Sequence, residues 1–302
     1  MTGDLRAPGA TEGARRHPCF HAEARGRYGR VHLPVAPACN LQCRYCRRDF
    51  DCANECRPGV ASRVLRPEEA VAVLEAAVAA QPSIAVAGIA GPGDAFADPP
   101  RTIDTLSRIR RARPDLELCV STNGLSVAEH VGDLRALGVG FVTLTVNAVH
   151  PAVGALVYEE VRFEGRTLRG EEGAALLVGR QLEAIARLAA AGIAVKVNTV
   201  VIPGVNDHHV AEVARRLAGL GVSRMNAIPL IPVTGTAFAA VRPPSRADLA
   251  RVRSGAARHV PQMLHCARCR SDASGRLGQG GRCGTPSPSL VPLHPRPEAA
   301  RE

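Results

Sequence analysis

Three cysteines, Cys39, Cys43 and Cys46, stand in the run Ala-Cys-Asn-Leu-Gln-Cys-Arg-Tyr-Cys. Thiolates at this spacing can hold three corners of a four-iron cube and leave the fourth iron open to a small molecule. Cysteine thiolates are the usual ligands of iron–sulfur clusters. An open position separates a catalytic metal centre from a structural one. Zinc is the competing reading, but zinc motifs usually pair one CxxC with a second pair farther along the chain. The CxxxCxxC spacing here does not have that form.

Other residues add to this run. Cys52 follows Cys46 by six residues, Cys266 and Cys269 form a CxxC, and Cys19 and Cys119 lie far from both, with Cys56 and Cys283 left over. A buried structural cysteine is the default for any one of these, and a CxxC near a chain end also fits a zinc half-site. The loop Gly91-Pro92-Gly93-Asp94 offers backbone without Cβ atoms, so a ligand can approach it closely. By itself Pro-Gly marks any tight turn. One strand–helix unit after the cysteines, it gains weight as a ligand loop.

Composition narrows the class. The chain has 302 residues, 46% of them hydrophobic, enough for a sizeable core in one large α/β domain or two smaller ones. Aromatics make up 3% and Trp is absent, so Ala, Val, Leu and Ile must build that core. The net charge is +10, and Lys196 is the only lysine. The arginines are scattered and lack aromatic interleaving, which reads as compositional bias rather than a nucleic-acid footprint. The N-terminus has no apolar secretory segment, and no apolar run is long enough to span a membrane. The expected setting is a reducing cytoplasm, where clustered cysteines read as metal ligands.

The elements that must position these residues alternate. Strands are expected at 31–35, 84–89, 116–121, 141–146, 194–202 and 225–230, with helices at 67–80, 102–113, 127–137, 177–191, 210–217 and 245–258. The segment 151–171 interrupts the pattern. Strands alternating with helices imply parallel pairing with crossover helices. Six such units predict an α/β fold, an open partial (β/α)6 TIM-like barrel, with its active site at the C-terminal ends of the strands. Cys39, Asp94, Ser121, Asn123 and Asn147 fall at or just past predicted strand ends. Asn198 and Asn226 fall inside predicted strands, where Asn is disfavoured. Residues 1–16 are polar and Gly-rich and read as disordered. The tail from Ser271 to Glu302, rich in Gly, Pro, Ser and Arg, reads as mostly disordered too.

The cysteine run with Tyr45 before its third thiol resembles the radical S-adenosylmethionine (SAM) enzymes. Several further segments resemble the NifB family within them, the radical SAM proteins of nitrogenase cofactor assembly. These are Arg-His-Pro-Cys-Phe (16–20), Arg-Val-His-Leu-Pro-Val-Ala-Pro-Ala-Cys (30–39), Asp-Cys-Ala-Asn-Glu-Cys-Arg-Pro-Gly-Val (51–60) and Ile-Ala-Gly-Pro-Gly-Asp (89–94). Ser-Thr-Asn-Gly-Leu (121–125), Thr-Val-Asn-Ala (145–148), Ile-Pro-Gly-Val-Asn-Asp (202–207), Pro-Leu-Ile-Pro (229–232) and His-Cys-Ala-Arg-Cys-Arg-Ser-Asp-Ala (265–273) belong with them. The match runs from about 17 to 278, leaving 279–302 as a disordered tail. It implies a radical SAM core with cysteine-bearing N- and C-terminal extensions.

The resemblance also implies roles. Cys39, Cys43 and Cys46 would hold the SAM-binding 4Fe-4S cluster. Tyr45, Gly91, Gly93, Asp94, Ser121, Asn123, Asn147, Asn198 and Ile202 would surround SAM. Two accessory 4Fe-4S clusters would serve as substrates. One would lie on Cys52, Cys119 and a histidine, His32 first and His17 or His21 as alternatives. The other would lie on Cys19, Cys266 and Cys269. Glu55 and Arg57 would line the cavity and assist proton transfer or charge balance, with an exposed salt bridge as the other reading.

The reaction implied fuses the two clusters, inserts a carbide from a SAM methyl group and adds a ninth sulfur, a lyase- or transferase-type activity. Expected partners are iron–sulfur cluster donors, a reductant such as ferredoxin or flavodoxin, and a downstream carrier or scaffold, without nucleic acid or membrane. Arg25, His150 and Cys56 depart from the family pattern. The chain is short for a form that carries an additional cofactor-binding domain, so a stand-alone form is expected. The alternatives are another radical SAM methyltransferase or RNA-modifying enzyme, or a non-catalytic iron–sulfur carrier.

Overall fold

The computed structural model describes residues 16–47, 57–278 and 285–286. Cys52, Glu55, Cys56 and Cys283, and the expectations for residues 1–15, 279–284 and 287–302, lie outside the described residues. The elements run β1 (Gly29–His32), β2 (Leu41–Cys43), α1 (Pro67–Ala80), β3 (Ile84–Ile89), α2 (Pro99–Ala112) and β4 (Glu117–Thr122). A 3₁₀ turn (Val127–His130), α3 (Val131–Ala136), β5 (Val139–Thr145), α4 (Pro151–Val157), β6 (Tyr158–Phe163) and β7 (Arg166–Leu168) follow. Then come α5 (Gly170–Ala190), β8 (Ala194–Val201), α6 (Val210–Ala218), β9 (Arg224–Pro229), α7 (Arg246–Ala257), β10 (Ala273–Gly275) and β11 (Thr285–Pro286).

Parallel pairings join β1 to β3, β3 to β4, β4 to β5, β5 to β8 and β8 to β9. These are the six expected strands, and they form a partial barrel. All residues of β3, Ile-Ala-Val-Ala-Gly-Ile, are buried, as in a parallel strand covered on both faces. Helices take local cues: Pro67 opens α1, with the Glu69 carboxylate accepting from Arg66 N–H at 2.8 Å. Ser245 and Asp248 exchange hydrogen bonds at 3.1 and 2.9 Å to cap α7. The core between sheet and helices is Val, Leu, Ala and Ile with Phe96.

Three differences from the sequence reading bear on function. The first strand ends at His32, because Pro34 lacks the N–H a longer ladder would need. The interrupting segment supplies α4, β6 and β7, and β6 pairs antiparallel with β2, placing Leu41 opposite Val161 and Cys43 opposite Tyr158. The cysteine run is thus braced by the segment that broke the pattern.

The third difference is a correction. The chain from Ser271 to Gly278 is ordered, with Ser271, Asp272 and Ala273 buried. β10 pairs antiparallel with β1, Arg30 opposite Gly275. Arg270 donates to both Asp272 oxygens at 2.8 and 3.0 Å. Ser62 N–H reaches the same carboxylate at 2.6 Å, and Ser271 N–H reaches Val60 carbonyl at 2.8 Å. The polar composition concealed this because its charges neutralise each other inside. Asp272→Ala leaves the Arg270 guanidinium, 2% exposed, buried without its counter-charge. The expected loss is about 3–5 kcal/mol of unfolding free energy, read by denaturant titration. A wild-type midpoint would mean that other contacts hold this segment.

Candidate functional site

The inner face of the parallel strands, together with the loops at their C-terminal ends, encloses a cavity of about 270 Å³. All seven described cysteines, Cys19, Cys39, Cys43, Cys46, Cys119, Cys266 and Cys269, line it, and all are free thiols. Among the described residues no trio of His, Cys, Asp and Glu converges on one ion-sized point. The thiols are spread around the wall.

One side carries the CxxxCxxC run. The loop after β3 lies directly on the segment leading to Cys39: Gly93 N–H donates to Ala36 carbonyl at 2.6 Å and Asp94 N–H to Ala38 carbonyl at 2.7 Å. A Cβ on Gly93 would stand 2.0 Å from the Ala38 oxygen, so only glycine fits. Gly91 has φ +99°, also a glycine conformation. Asp94 is buried, and its carboxylate accepts from Phe96 N–H at 2.9 Å, Thr122 hydroxyl at 3.0 Å and Asn123 N–H. Burial raises its pKa while these hydrogen bonds oppose the rise. Asp94 therefore joins the β3 loop to the end of β4.

Asn123 carries that link onward. Its amide donates to Asn40 at 2.6 Å and lies 3.9 Å from the Cys39 sulfur. Gln42 donates to the carbonyls of Cys43 and Cys46 at 3.1 and 3.0 Å. Tyr45 lines the cavity with its phenol oxygen accepting from the Asn147 amide at 3.0 Å. Burial pushes that phenol well above its ordinary pKa. The glycine cradle and three thiols on one wall fit a SAM-bound cube.

The other side carries the remaining thiols. His32, Gly88, Cys119 and Phe141 form one row across β1, β3, β4 and β5. His32 and Cys119 are two strand spacings apart, about 10 Å. The missing side chain of Gly88 leaves the space between them open. Burial pushes the Cys119 thiol up to about 12, with Lys196 pulling the other way. Burial likewise raises Cys19. Arg30, on β1 and buried, donates to the Cys269 sulfur at 2.7 Å and to Gly275 carbonyl.

The histidines differ in their tautomers. His32 Nδ1 lies 3.0 Å from Arg270 carbonyl, so Nδ1 bears the hydrogen and Nε2 keeps its lone pair. Burial, then the Arg30 charge, lowers its pKa to about 4, so the ring is neutral. A ring N–H held by a carbonyl is the usual support for a ligating imidazole. His17 Nδ1 instead accepts from Cys19 N–H at 3.1 Å, which leaves Nε2 as a buried N–H without a hydrogen-bond partner. Burial holds this ring neutral as well. His21 lies 3.7 Å from Glu23 and is not on the cavity wall. The Nε2 lone pair and the place of His32 in one row with Cys119 suit this ring to ligation better than His17.

Among the expected SAM contacts, Tyr45, Gly91, Gly93, Asp94, Ser121, Asn123 and Asn198 line the cavity. Three expected residues are not on its wall. Asn147 is fully buried behind Tyr45, with Val200 N–H donating to its side-chain oxygen at 2.9 Å. Ile202 is packed in the core, its N–H on Asn206 at 2.8 Å. Arg57 is 4% exposed and donates to Arg47 carbonyl at 2.6 Å, bracing the chain just after Cys46. The sequence reading passed over Arg30, Thr143, Thr145 and Lys196, which do line the cavity. Only the lysine carried a signal: it is the sole lysine of an arginine-rich chain, placed inside a strand.

A family model, the radical SAM superfamily, matches residues 33–217. The FeMo cofactor biosynthesis protein NifB of Chlorobaculum tepidum is 46% identical over 263 residues, covering 87% of this chain and 62% of that protein. The NifB of Klebsiella pneumoniae is 45% identical over 276 residues, 90% of this chain and 59% of its own length. The chain thus spans less than two thirds of the curated relatives it matches. Among solved structures, the FeFe-hydrogenase maturase HydG of Carboxydothermus hydrogenoformans aligns with TM-score 0.52 and 19% identity over 79% of this chain and 54% of that one. Streptococcus suis SuiB aligns at 0.53 and 14% over 74% and 45%. Both show the fold alone. No helix among the described residues is long and apolar enough to cross a membrane. With the family model matched over more than half its length and the cysteine run set against a glycine cradle, this chain belongs to the radical SAM superfamily and is a radical SAM enzyme.

Proposed function

We propose that this enzyme acts in nitrogenase cofactor assembly. Its substrates are two 4Fe-4S clusters, which it fuses with a carbide from a SAM methyl group and a ninth sulfur into an 8Fe-9S-C product. One observation carries the reading. Thiols from four separate chain segments, 19, 39–46, 119 and 266–269, line a single cavity. A radical SAM enzyme acting on an organic substrate needs only the middle set. The NifB relatives support the same direction.

Bound between Cys39, Cys43 and Cys46, the SAM cluster supplies reductive cleavage of SAM. The chain's own residues do the positioning. Gly91 and Gly93 present backbone to SAM, and Asp94 holds that loop against Asn123. Tyr45, fixed by Asn147, would pack against the adenine ring of SAM. Ser121 and Asn198 offer polar groups on the same wall. His32 and Cys119, with Cys52, hold one substrate cluster, and Cys19, Cys266 and Cys269 hold the other. Each set has three protein ligands, which suits a cluster that must later leave. The enzyme works in the cytoplasm, where thiols stay reduced. Clusters arrive from donor proteins, electrons from a ferredoxin or flavodoxin, and the product passes to a carrier.

Anaerobic reconstitution should yield about twelve irons per chain, as three cubes require. With SAM and a reductant, the protein should release both S-adenosylhomocysteine and 5′-deoxyadenosine. Deoxyadenosine alone would point to another radical reaction, and neither product to a carrier. Cys39→Ala should abolish SAM cleavage while keeping most accessory iron. Cys269→Ala should lose accessory iron while abortive SAM cleavage persists. Identical losses in the two variants would contradict separate sites.

The metal-free protein should also show an acid-labile step. His32 titrates at about 4 when folded against 6.5 ordinarily, so the unfolded chain takes up the proton first. Stability is then fully present above 6.5 and falls as pH drops from 6.5 to about 4, by up to about 3 kcal/mol. His17 acts in the same direction. Denaturant unfolding across this window should show a shallower slope for His32→Gln. An unchanged slope would mean that His32 is not the group responsible.

A further inference from the structure

Lys196 projects from β8 into the cavity and is 5% exposed. Among the described residues no carboxylate pairs with it. Its ammonium lies 5.3 Å from the centre of the Phe20 ring, a contact far weaker than an ion pair. A buried ammonium without an anion is costly, and folded proteins rarely keep one. Phe20 packs in one cluster with Cys119 and Cys19, so the ammonium stands by the thiols of both segments. These two cysteines belong to different proposed ligand sets. The other buried cation at the cavity, Arg30, is committed at one edge to Cys269 and Gly275.

We infer that Lys196 is the counter-ion for both substrate clusters, placed where their two ligand sets meet. The inference rests on the two-cluster reading above. Cubes ligated by thiolates carry negative charge, and bringing two such anions together in a cavity of low dielectric is opposed by their repulsion. One cation between them offsets that repulsion. A lysine ammonium suits the place because it is compact, sits on a flexible stem and has three donors that can follow a changing sulfide surface. Nearby positive charge and hydrogen bonds to sulfur also raise a cluster's reduction potential. The sole lysine of the chain therefore favours both loading and electron uptake at the accessory clusters.

The test compares wild type, Lys196→Met, which keeps length and removes charge, and Lys196→Arg, which keeps charge. Each is reconstituted anaerobically and read by iron content, EPR-monitored redox titration, and melting with and without metal. Lys196→Met should keep the SAM cluster but lose at least half of the roughly eight accessory irons, and those retained should titrate at more negative potential. Lys196→Arg should restore both. Without metal, Lys196→Met should melt at or above wild type, because an unpaired buried charge is gone; once loaded, it should melt below it. Wild-type iron and potentials in Lys196→Met would overturn the inference. So would a metal-free Lys196→Met that melts well below wild type, since the lysine would then pair with a carboxylate of this chain. Wild type holding only about four irons would overturn the two-cluster reading itself, and the inference with it.

Discussion

Parallel strands all end on the same side of their sheet, and the placement of every chemistry-bearing group here depends on that. Cys19, Cys119 and Cys266 are far apart along the chain, yet each lines the same cavity. The helices and the Val/Leu/Ala core that hold β1, β3, β4, β5, β8 and β9 in register set how far apart these thiols stand. Two latches close the arrangement. On one side β6 pairs with β2 and steadies Cys43. On the other, the Arg270–Asp272 pair and β10 bring the CxxC segment against β1.

Charge is the second constraint. The cavity buries thiols whose ionisation is opposed by desolvation, and it buries Arg30 and Lys196 beside them. Each kind of group is costly by itself in such a place, and each lowers the cost of the other. Iron binding requires deprotonated ligands, so a wall that combines thiols with fixed cations is prepared for anionic clusters. The imidazole of His32 on the same wall is neutral, so it adds no charge of its own.

Much of the fold was readable because its signals are local. Apolar runs such as Ile84–Ile89 and the proline at the start of α1 mark elements by composition and period. The segment Pro151–Leu168 was not readable as structure. Its strands are short, and β6 gains stability only by pairing with β2, a partner distant in sequence. Ser271–Gly278 was misread for a related reason. Arg270 and Asp272 look solvent-bound in sequence, and only the folded chain shows that each buries the other.

For the site, the sequence alone determined the radical SAM class and kept Cys39, Cys43 and Cys46 together, and Cys266 with Cys269, since neighbours in the chain cannot move far apart. Tertiary structure decided what spacing cannot. It set Asn147 and Ile202 behind the wall rather than on it, and gave His32 the free ring nitrogen while His17 kept a proton there. It also put Lys196 on the cavity wall with thiols of different segments. The physical reason is that direction and protonation follow from hydrogen-bond partners and burial, and those come from residues far away in the chain.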